Sequence, residues 1–369
     1  MKRSMSQTAK ASPMRSLLCR VSPATVAHTS SRSLTTTTST TSISTSSSSV
    51  ARVQDGSGRR GYSAHPRPTS TKDIGKRTTV LDLGEKYRKN IPLTMLTAKD
   101  FPSAVIIQQV GGIDLILVGD SLGMTTMGYE STIPVTMTDM LHHAKCVHRG
   151  NQTSFLVGDM PFGSYEPSSA LAVENAMRLI KEANMNAIKL EGGKRMAARA
   201  KAIVEAGIPV MGHIGLTPQS IHSLGGFKVQ GRTSGQATAI LEDALALQDA
   251  GVFAMVLECI PDRVATFITQ QLRVPTIGIG SGNGCSGQVL VWDDMVGQSD
   301  IQSFQPKFLK KYANVGEEMR KAVEDYRNDV VARKYPEDGT HTFAIKDDEF
   351  DAFTKKAQHQ TSAEPLTTQ

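Results

Sequence analysis

Six short apolar runs in this chain end in residues of catalytic type. Asp100 follows Leu93–Thr97, Asp120 and Ser121 follow Leu115–Gly119, and Asp159 follows Phe155–Gly158. Lys189 and Glu191 close Ala187–Leu190, His213 follows Val210–Gly212, and Glu258 follows Ala254–Leu257. Asp120 and Asp159 stand 39 residues apart, about one strand–helix unit, so neighbouring strands would present both to one space. Two hard carboxylates with open positions suit Mg²⁺, which keeps several waters and takes further oxygens from substrate. For either aspartate alone, capping of the following helix is the better reading; for the pair with Glu191, metal binding is favoured. Lys189 and Glu191 alternate along a strand and face the same side, which fits a substrate contact and a structural ion pair equally well. His213 is open in the same way between a site residue and a core histidine bonded to backbone. Glu258, directly after Met255-Val256-Leu257, is placed as a base at a pocket wall, with a solvated glutamate as the alternative.

Something must bring these run ends to one face. The six runs and two more, Thr276–Gly278 and Val289–Val291, are short and mostly apolar, as strands buried on both faces of a parallel sheet are. Amphipathic stretches separate them. In Gln236–Ala250 the residues Ala237, Ile240, Leu241, Ala244 and Leu245 follow helical spacing, the acids fall off that stripe, and Gly251 supplies the stop. Eight strands alternating with helices predict a (β/α)8 TIM barrel, whose catalytic groups come from the C-terminal strand ends. The last two strands are the weakest of the eight. Beyond the barrel, Glu317–Lys334 reads as an amphipathic helix within a catalytic unit of residues 80–335, and residues 336–369 read as a loose polar tail.

Composition excludes several function classes. The chain of 369 residues carries a formal charge of +6, but its first 62 residues hold nine Lys or Arg and one acid, Asp55. From Ser63 onward 32 bases meet 34 acids, so the basicity is no nucleic-acid signal. The first 54 residues contain no acid, are crowded with Ser and Thr, and carry scattered arginines. That is the composition of a mitochondrial transit peptide, read here over residues 1–62, followed by a linker at 63–79. The four cysteines lie far apart, without CxxC spacing, which argues against a disulfide framework. No apolar run reaches the roughly 18–20 residues needed to span a bilayer, so a soluble matrix protein is expected. The glycine string Gly278, Gly280, Gly282, Gly284 lacks the G-x-G-x-x-G spacing of a dinucleotide loop and reads as backbone that must approach its neighbours closely.

At these residues the chain resembles the ketopantoate hydroxymethyltransferases. The resemblance is carried by LVGDSLGM (Leu117–Met124), STIPVT (Ser131–Thr136), VGDMPFGSY (Val157–Tyr165), KLEGG (Lys189–Gly193), GHIGLTPQS (Gly212–Ser220), GGFKVQGR (Gly225–Arg232) and VLECIP (Val256–Pro261). Further blocks continue in order to about Tyr335. The resemblance implies a barrel of the phosphoenolpyruvate mutase/isocitrate lyase group, a homo-oligomer (commonly a decamer), and transfer of a one-carbon unit from 5,10-methylenetetrahydrofolate to α-ketoisovalerate. It implies Mg²⁺ on Asp120 and Asp159 with Glu191 supporting the ion's water shell. Ser121, Lys189 and His213 would contact the keto acid, and Glu258 would be the base. Three positions depart from the family pattern. Lys99 stands where an aromatic residue or His is usual, and is expected to change substrate affinity or add a charge to the pocket. Ser281 replaces a frequent Ala, and Ser286 replaces a frequent Asp, which puts a folate or subunit contact in doubt. A related C–C lyase would need a cysteine in a loop over the site, and none is evident; a barrel kept as a scaffold would not retain this set of charges.

Overall fold

The computed structural model describes residues 75–298 and 305–361. The leader at 1–62, most of the linker and the end of the polar tail lie outside the described residues. Eight parallel strands close a barrel in chain order: β1 Leu93–Thr97, β2 Leu115–Val118, β3 Phe155–Asp159, β4 Ala187–Glu191, β5 Val210–Gly215, β6 Ala254–Glu258, β7 Thr276–Ile279 and β8 Gly287–Leu290. β8 pairs with β1 to complete the ring. Both uncertain strands are therefore present.

The period of two along each strand divides the core. Leu93 and Met95, Leu115 and Leu117, Phe155 and Val157, Met211, Ala254 and Val256, Ile277 and Val289 form one buried cluster inside the barrel. Their neighbours, among them Ile116, Val118, Leu156, Ile188, Leu190, Met255 and Leu257, pack outward against the helices. Leu83 of the helix Val80–Arg88 joins the inner cluster, beside strand-start residues such as Leu93 and Phe155. That helix begins in a capping box between Thr79 and Asp82, which satisfies two of its free amide groups. Among the helices of the outer ring, those starting after Thr136 and Thr233 also have capping boxes, and Ser168 caps another with its side chain alone. The helix expected at Gln236–Ala250 runs Ser234–Asp249, with Gly251 at φ +92° just beyond its end.

Inward positions change character along the strands. On β3 two apolar inward residues are followed by Asp159; on β4, Ala187 is followed by Lys189 and Glu191; on β6, Ala254 and Val256 are followed by Glu258. The lower layers fill the barrel with hydrocarbon, and the top layer at the C-terminal ends is charged. After the barrel come the helix Val315–Val331 and a second helix, Asp347–Thr361. The stretch read as a loose polar tail thus contains regular structure. Asp347, Asp348 and Glu349 occupy its first turn, where acids complement the helix dipole. None of the described helices is long and apolar enough to cross a membrane.

Candidate active site

Strand register brings the charged residues together. Asp159 is registered with Lys189, and Glu191 with His213, on adjacent strands. Gly215 is registered with Glu258, so each pair of neighbours contributes to one ring. Asp120, Asp159, Lys189, Glu191 and His213 are between 2% and 4% exposed. They line one cavity of about 630 Å³ together with Ser121 and Glu258. Seven of the eight run-end residues singled out from the sequence therefore meet in one place.

The contacts decide between several alternatives. Asp100 is a helix cap: it accepts the N–H of Ser103 at 2.8 Å and starts the helix Phe101–Val110. Asp120 and Asp159 cap nothing. Asp159 Oδ2 accepts the backbone N–H of Asp120 at 3.0 Å, so one aspartate orients the other. Lys189 Nζ lies 3.1 Å from Asp159 Oδ1, although that oxygen has no hydrogen bond of good geometry. His213 makes no backbone bond through its ring. Nδ1 lies 3.3 Å from Lys189 Nζ and 3.4 Å from Glu191 Oε1, and Nε2 lies 3.1 Å from Glu258 Oε2. Gly119 leaves room for this arrangement, since a Cβ there would stand 3.2 Å from Ser121 Oγ and 3.5 Å from Asp159 Oδ2.

The electrostatics follow from burial. Loss of water, the charge of Asp159 and that of Glu191 push the Asp120 carboxyl well above its ordinary range. Burial also raises Asp159, against the opposing pull of Lys189. For His213, burial and the Lys189 ammonium favour the neutral ring, but Glu191 and Glu258 outweigh them and raise it to about 9. Burial likewise opposes the charge on Lys189, yet Asp159, Glu191 and Asp120 raise its pKa overall. With all four carboxyls ionised, four negative charges face two cations and two are left over, which is the repulsion that adds to burial in raising Asp120. A divalent cation would balance them. Among the described residues no group of three or more His, Cys, Asp or Glu is spaced to enclose an ion. The chain's own contribution is therefore the Asp120–Asp159 pair, with Asp159 Oδ1 held by the Lys189 ion pair alone and by no hydrogen bond of good geometry. That open donor set fits Mg²⁺, which keeps water and substrate oxygens among its ligands.

Two of the departures have structural partners instead of ligand contacts. Lys99 forms a buried ion pair with Asp293, and its carbonyl accepts from His143 Nδ1 at 2.5 Å. Its charge is neutralised outside the cavity lining, contrary to the expectation of an added pocket charge. Ser286 exchanges hydrogen bonds with Thr276 at 3.2 Å each, at the starts of β8 and β7 and hence at the barrel end opposite the cavity. Ser281 does bear on the site. Its hydroxyl donates to Leu257 O at 2.8 Å and accepts from Ile260 N at 3.1 Å, bracketing the turn that carries Glu258. The glycine string packs closely as expected: Gly280 has φ +66°, and a Cβ there would meet Phe308 at 2.7 Å.

One thiol reaches the cavity, which the sequence did not reveal. Cys259 follows Glu258 with φ 49° and lines the wall. Burial and the adjacent Glu258 push it up to about 12, so it is protonated at neutral pH and unsuited to act as a nucleophile. Alkylation of Cys259 by iodoacetamide at pH 8 is expected to be at least about 100-fold slower than that of a free thiol of pKa about 8.5. The rate should climb steadily with pH and show no plateau below pH 11, read by mass spectrometry of the peptide. A plateau near pH 9 would contradict the assigned environment.

Sequence reasoning also missed Tyr165 and Gln219, both buried beside the cluster. Each lies within a block already marked by resemblance, VGDMPFGSY and GHIGLTPQS, but neither stands at a strand end.

The family model for ketopantoate hydroxymethyltransferase matches residues 77–338. The chain belongs to this family. A relative named 3-methyl-2-oxobutanoate hydroxymethyltransferase from Emericella nidulans is 48% identical over 295 residues, 80% of this chain and 84% of the relative. Another from Clostridium botulinum is 51% identical over 272 residues, covering 74% of this chain and 98% of that protein. A third, from Arabidopsis thaliana and named as mitochondrial, is 47% identical over 298 residues, 79% of this chain and 84% of that one. Among solved structures, a 2,3-dimethylmalate lyase described as a PEP mutase/isocitrate lyase superfamily member aligns at 14% identity and a TM-score of 0.47, over 76% of this chain and 99% of that chain.

Proposed function

We propose that this ketopantoate hydroxymethyltransferase-family chain transfers a hydroxymethyl group from 5,10-methylenetetrahydrofolate to 3-methyl-2-oxobutanoate, giving 2-dehydropantoate and tetrahydrofolate, with one water completing the balance. The observation that carries the reading is Glu258, a carboxylate at the open side of a buried cluster of Lys189, His213, Asp120 and Asp159. Lys189 and the charged form of His213 are donors only, and with the Ser121 hydroxyl they suit the carboxylate and keto oxygens of an α-keto acid. Glu258 is the group to take the proton from the carbon next to the carbonyl. Asp120 and Asp159 would hold Mg²⁺, with Glu191 bonding its water shell. When bound there, Mg²⁺ supplies Lewis acidity for the negative charge that develops on the substrate's keto oxygen. Burial of the cluster strengthens each of these interactions by excluding water.

The second substrate has room as well. The cavity has the volume of a site for a drug-sized ligand, well beyond a five-carbon acid. Its outer wall includes Leu216, Phe227, Val229, Pro306 and Phe308, with Lys228 and Lys307 among them. An apolar wall with cations beside it suits a pteridine ring and the carboxylates of a glutamyl tail. Family resemblance supports a homo-oligomer, a decamer in the common case. The leader, without an acid in its first 54 residues, and the Arabidopsis relative's name support a mitochondrial, matrix location.

The test follows the C3 proton of 3-methyl-2-oxobutanoate by NMR in deuterated water. Exchange that requires Mg²⁺, with 2-dehydropantoate formed only when the folate is added, is expected. Exchange without product in the presence of folate would point to a lyase of similar fold, and absence of exchange in Mg²⁺-replete protein would refute the enolate chemistry.

A further inference from the structure

Tyr165 and Gln219 take no part in the chemistry above, yet they connect its carboxylates. Tyr165 lies in the loop after β3 and is 1% exposed; Gln219 lies in the single turn Pro218–Ser220 after β5 and is 4% exposed. Gln219 Nε2 stands 2.8 Å from Asp120 Oδ2 and 2.9 Å from Met160 O. Its Oε1 stands 2.6 Å from Tyr165 Oη. The backbone N–H of Gln219 donates to Glu191 Oε2 at 3.0 Å, and the backbone N–H of Glu191 donates to Tyr165 Oη at 3.1 Å.

The direction of these bonds is fixed by groups that cannot reverse. A carbonyl only accepts, so the Gln219 atom facing Met160 O must be the amide nitrogen. Its other hydrogen then points at Asp120 Oδ2. Oε1 needs a donor, and the single Tyr165 hydroxyl hydrogen supplies it at 2.6 Å, the shortest of the contacts, in preference to Glu191 O at 3.2 Å. The tyrosine oxygen is then left to accept from Glu191 N–H, which only donates. Both hydrogens of the amide are in use, and the wire has one polarity from end to end. Asp120 is held through Oδ2 as an acceptor, which leaves Oδ1 as the oxygen available to a cation. Glu191 is held at the same time through its backbone and its side chain.

We propose that Tyr165 and Gln219 are positioning residues for the cation site, a polar clamp that fixes Asp120 by one oxygen and Glu191 from behind so that both face the ion in one geometry. The proposal rests on the reading of Asp120 and Asp159 as the Mg²⁺ carboxylates. Outer partners of metal ligands commonly change metal affinity by about 10–100-fold when removed, and a clamp with every hydrogen bond satisfied is the kind of network whose loss is felt at the ligand.

The experiment is a calorimetric titration of substrate-free protein with Mg²⁺ alone, on Tyr165→Phe, Gln219→Met and Asp159→Asn beside the wild type. Tyr165→Phe removes one oxygen and keeps the buried ring, so the packing is retained while Gln219 Oε1 and Glu191 N–H lose a partner. Mg²⁺ affinity is expected to fall about 10-fold in Tyr165→Phe and between about 10- and 100-fold in Gln219→Met. In steady-state assays at saturating Mg²⁺, kcat should return to within about threefold of the wild type, while the Mg²⁺ concentration giving half activity moves with the calorimetric value. Affinity within twofold of the wild type in both variants, with binding lost in Asp159→Asn, would overturn the clamp and leave the metal reading standing. Unchanged binding in all three variants would overturn both.

Discussion

Glu258→Gln is expected to lower turnover by about 10²–10⁴-fold and to reduce C3 proton exchange by the same factor. The substitution keeps shape and volume and removes the negative charge and, with it, the ability to accept a proton. Glu258 ends β6 with its side chain 17% exposed, whereas Asp120, Asp159 and Glu191 are closed off at 2–4%. It is the carboxylate that a substrate entering the cavity would meet. The amide of glutamine still reaches His213 Nε2, now 3.1 Å from Glu258 Oε2, so the ring should stay in place and keto-acid affinity should change little. A joint loss of exchange and product at unaltered affinity would mark the base, because both processes begin with the same proton transfer. If exchange survives while product formation is lost, Glu258 acts later, in the step with the folate. A variant with near wild-type exchange would require another base. Of the cavity's remaining groups, the neutral thiol of Cys259 is poorly suited to that role.

The site was more legible in the sequence than the strand ends that hold it. Apolar runs end at Gly158, Leu190, Gly212 and Leu257, but the strands continue to Asp159, Glu191, Gly215 and Glu258. A charged residue after a hydrophobic run looks like the start of a loop. Here it is still paired in the sheet, and the barrel mouth supplies the partners that make its burial tolerable. The opposite error occurs at β8, which starts at Gly287, earlier than its apolar residues suggest. Gly287 passes Leu93 so closely that a Cβ would stand 2.4 Å from its carbonyl oxygen, a constraint invisible in one chain segment. Lys99 was misread for a related reason. Its partner Asp293 is 194 residues away, and only closure of the barrel brings β1 beside the segment after β8. Gln219 escaped notice because its links to Tyr165 and Asp120 span 54 and 99 residues. Local pattern finds residues at strand ends; it does not find the side chains that close a network behind them.

The two aspartates should separate stability from function in opposite directions. Both Asp120→Asn and Asp159→Asn are expected to abolish stabilisation by Mg²⁺ and to lower turnover by about 10³-fold, the scale of losing preorganised charge at a developing anion. In the metal-free protein they should diverge. Asp120 is 4% exposed, is in no ion pair among the described contacts, and faces the charges of Asp159 and Glu191. Asparagine relieves that repulsion and can still accept from Gln219 Nε2. A gain of about 1 kcal/mol is expected, as when other strained functional groups are neutralised. Asp159 is the ion-pair partner of Lys189, at 3.1 Å and with both side chains no more than 5% exposed. Its replacement leaves a buried ammonium short of its partner, and breaking such a pair costs about 3 kcal/mol. Thermal melts with and without Mg²⁺ read all of this in one series: Asp120→Asn above the metal-free wild type, Asp159→Asn below it, and neither responding to the ion. Equal destabilisation by both would mean that Asp120 is held by more than it repels. A Mg²⁺ shift undiminished in Asp159→Asn would overturn the metal reading, whereas a reduced shift in either variant would mean that the remaining aspartate, with Glu191, still holds the ion weakly. The excess negative charge of the cluster is therefore a liability in the empty site and the source of affinity in the filled one.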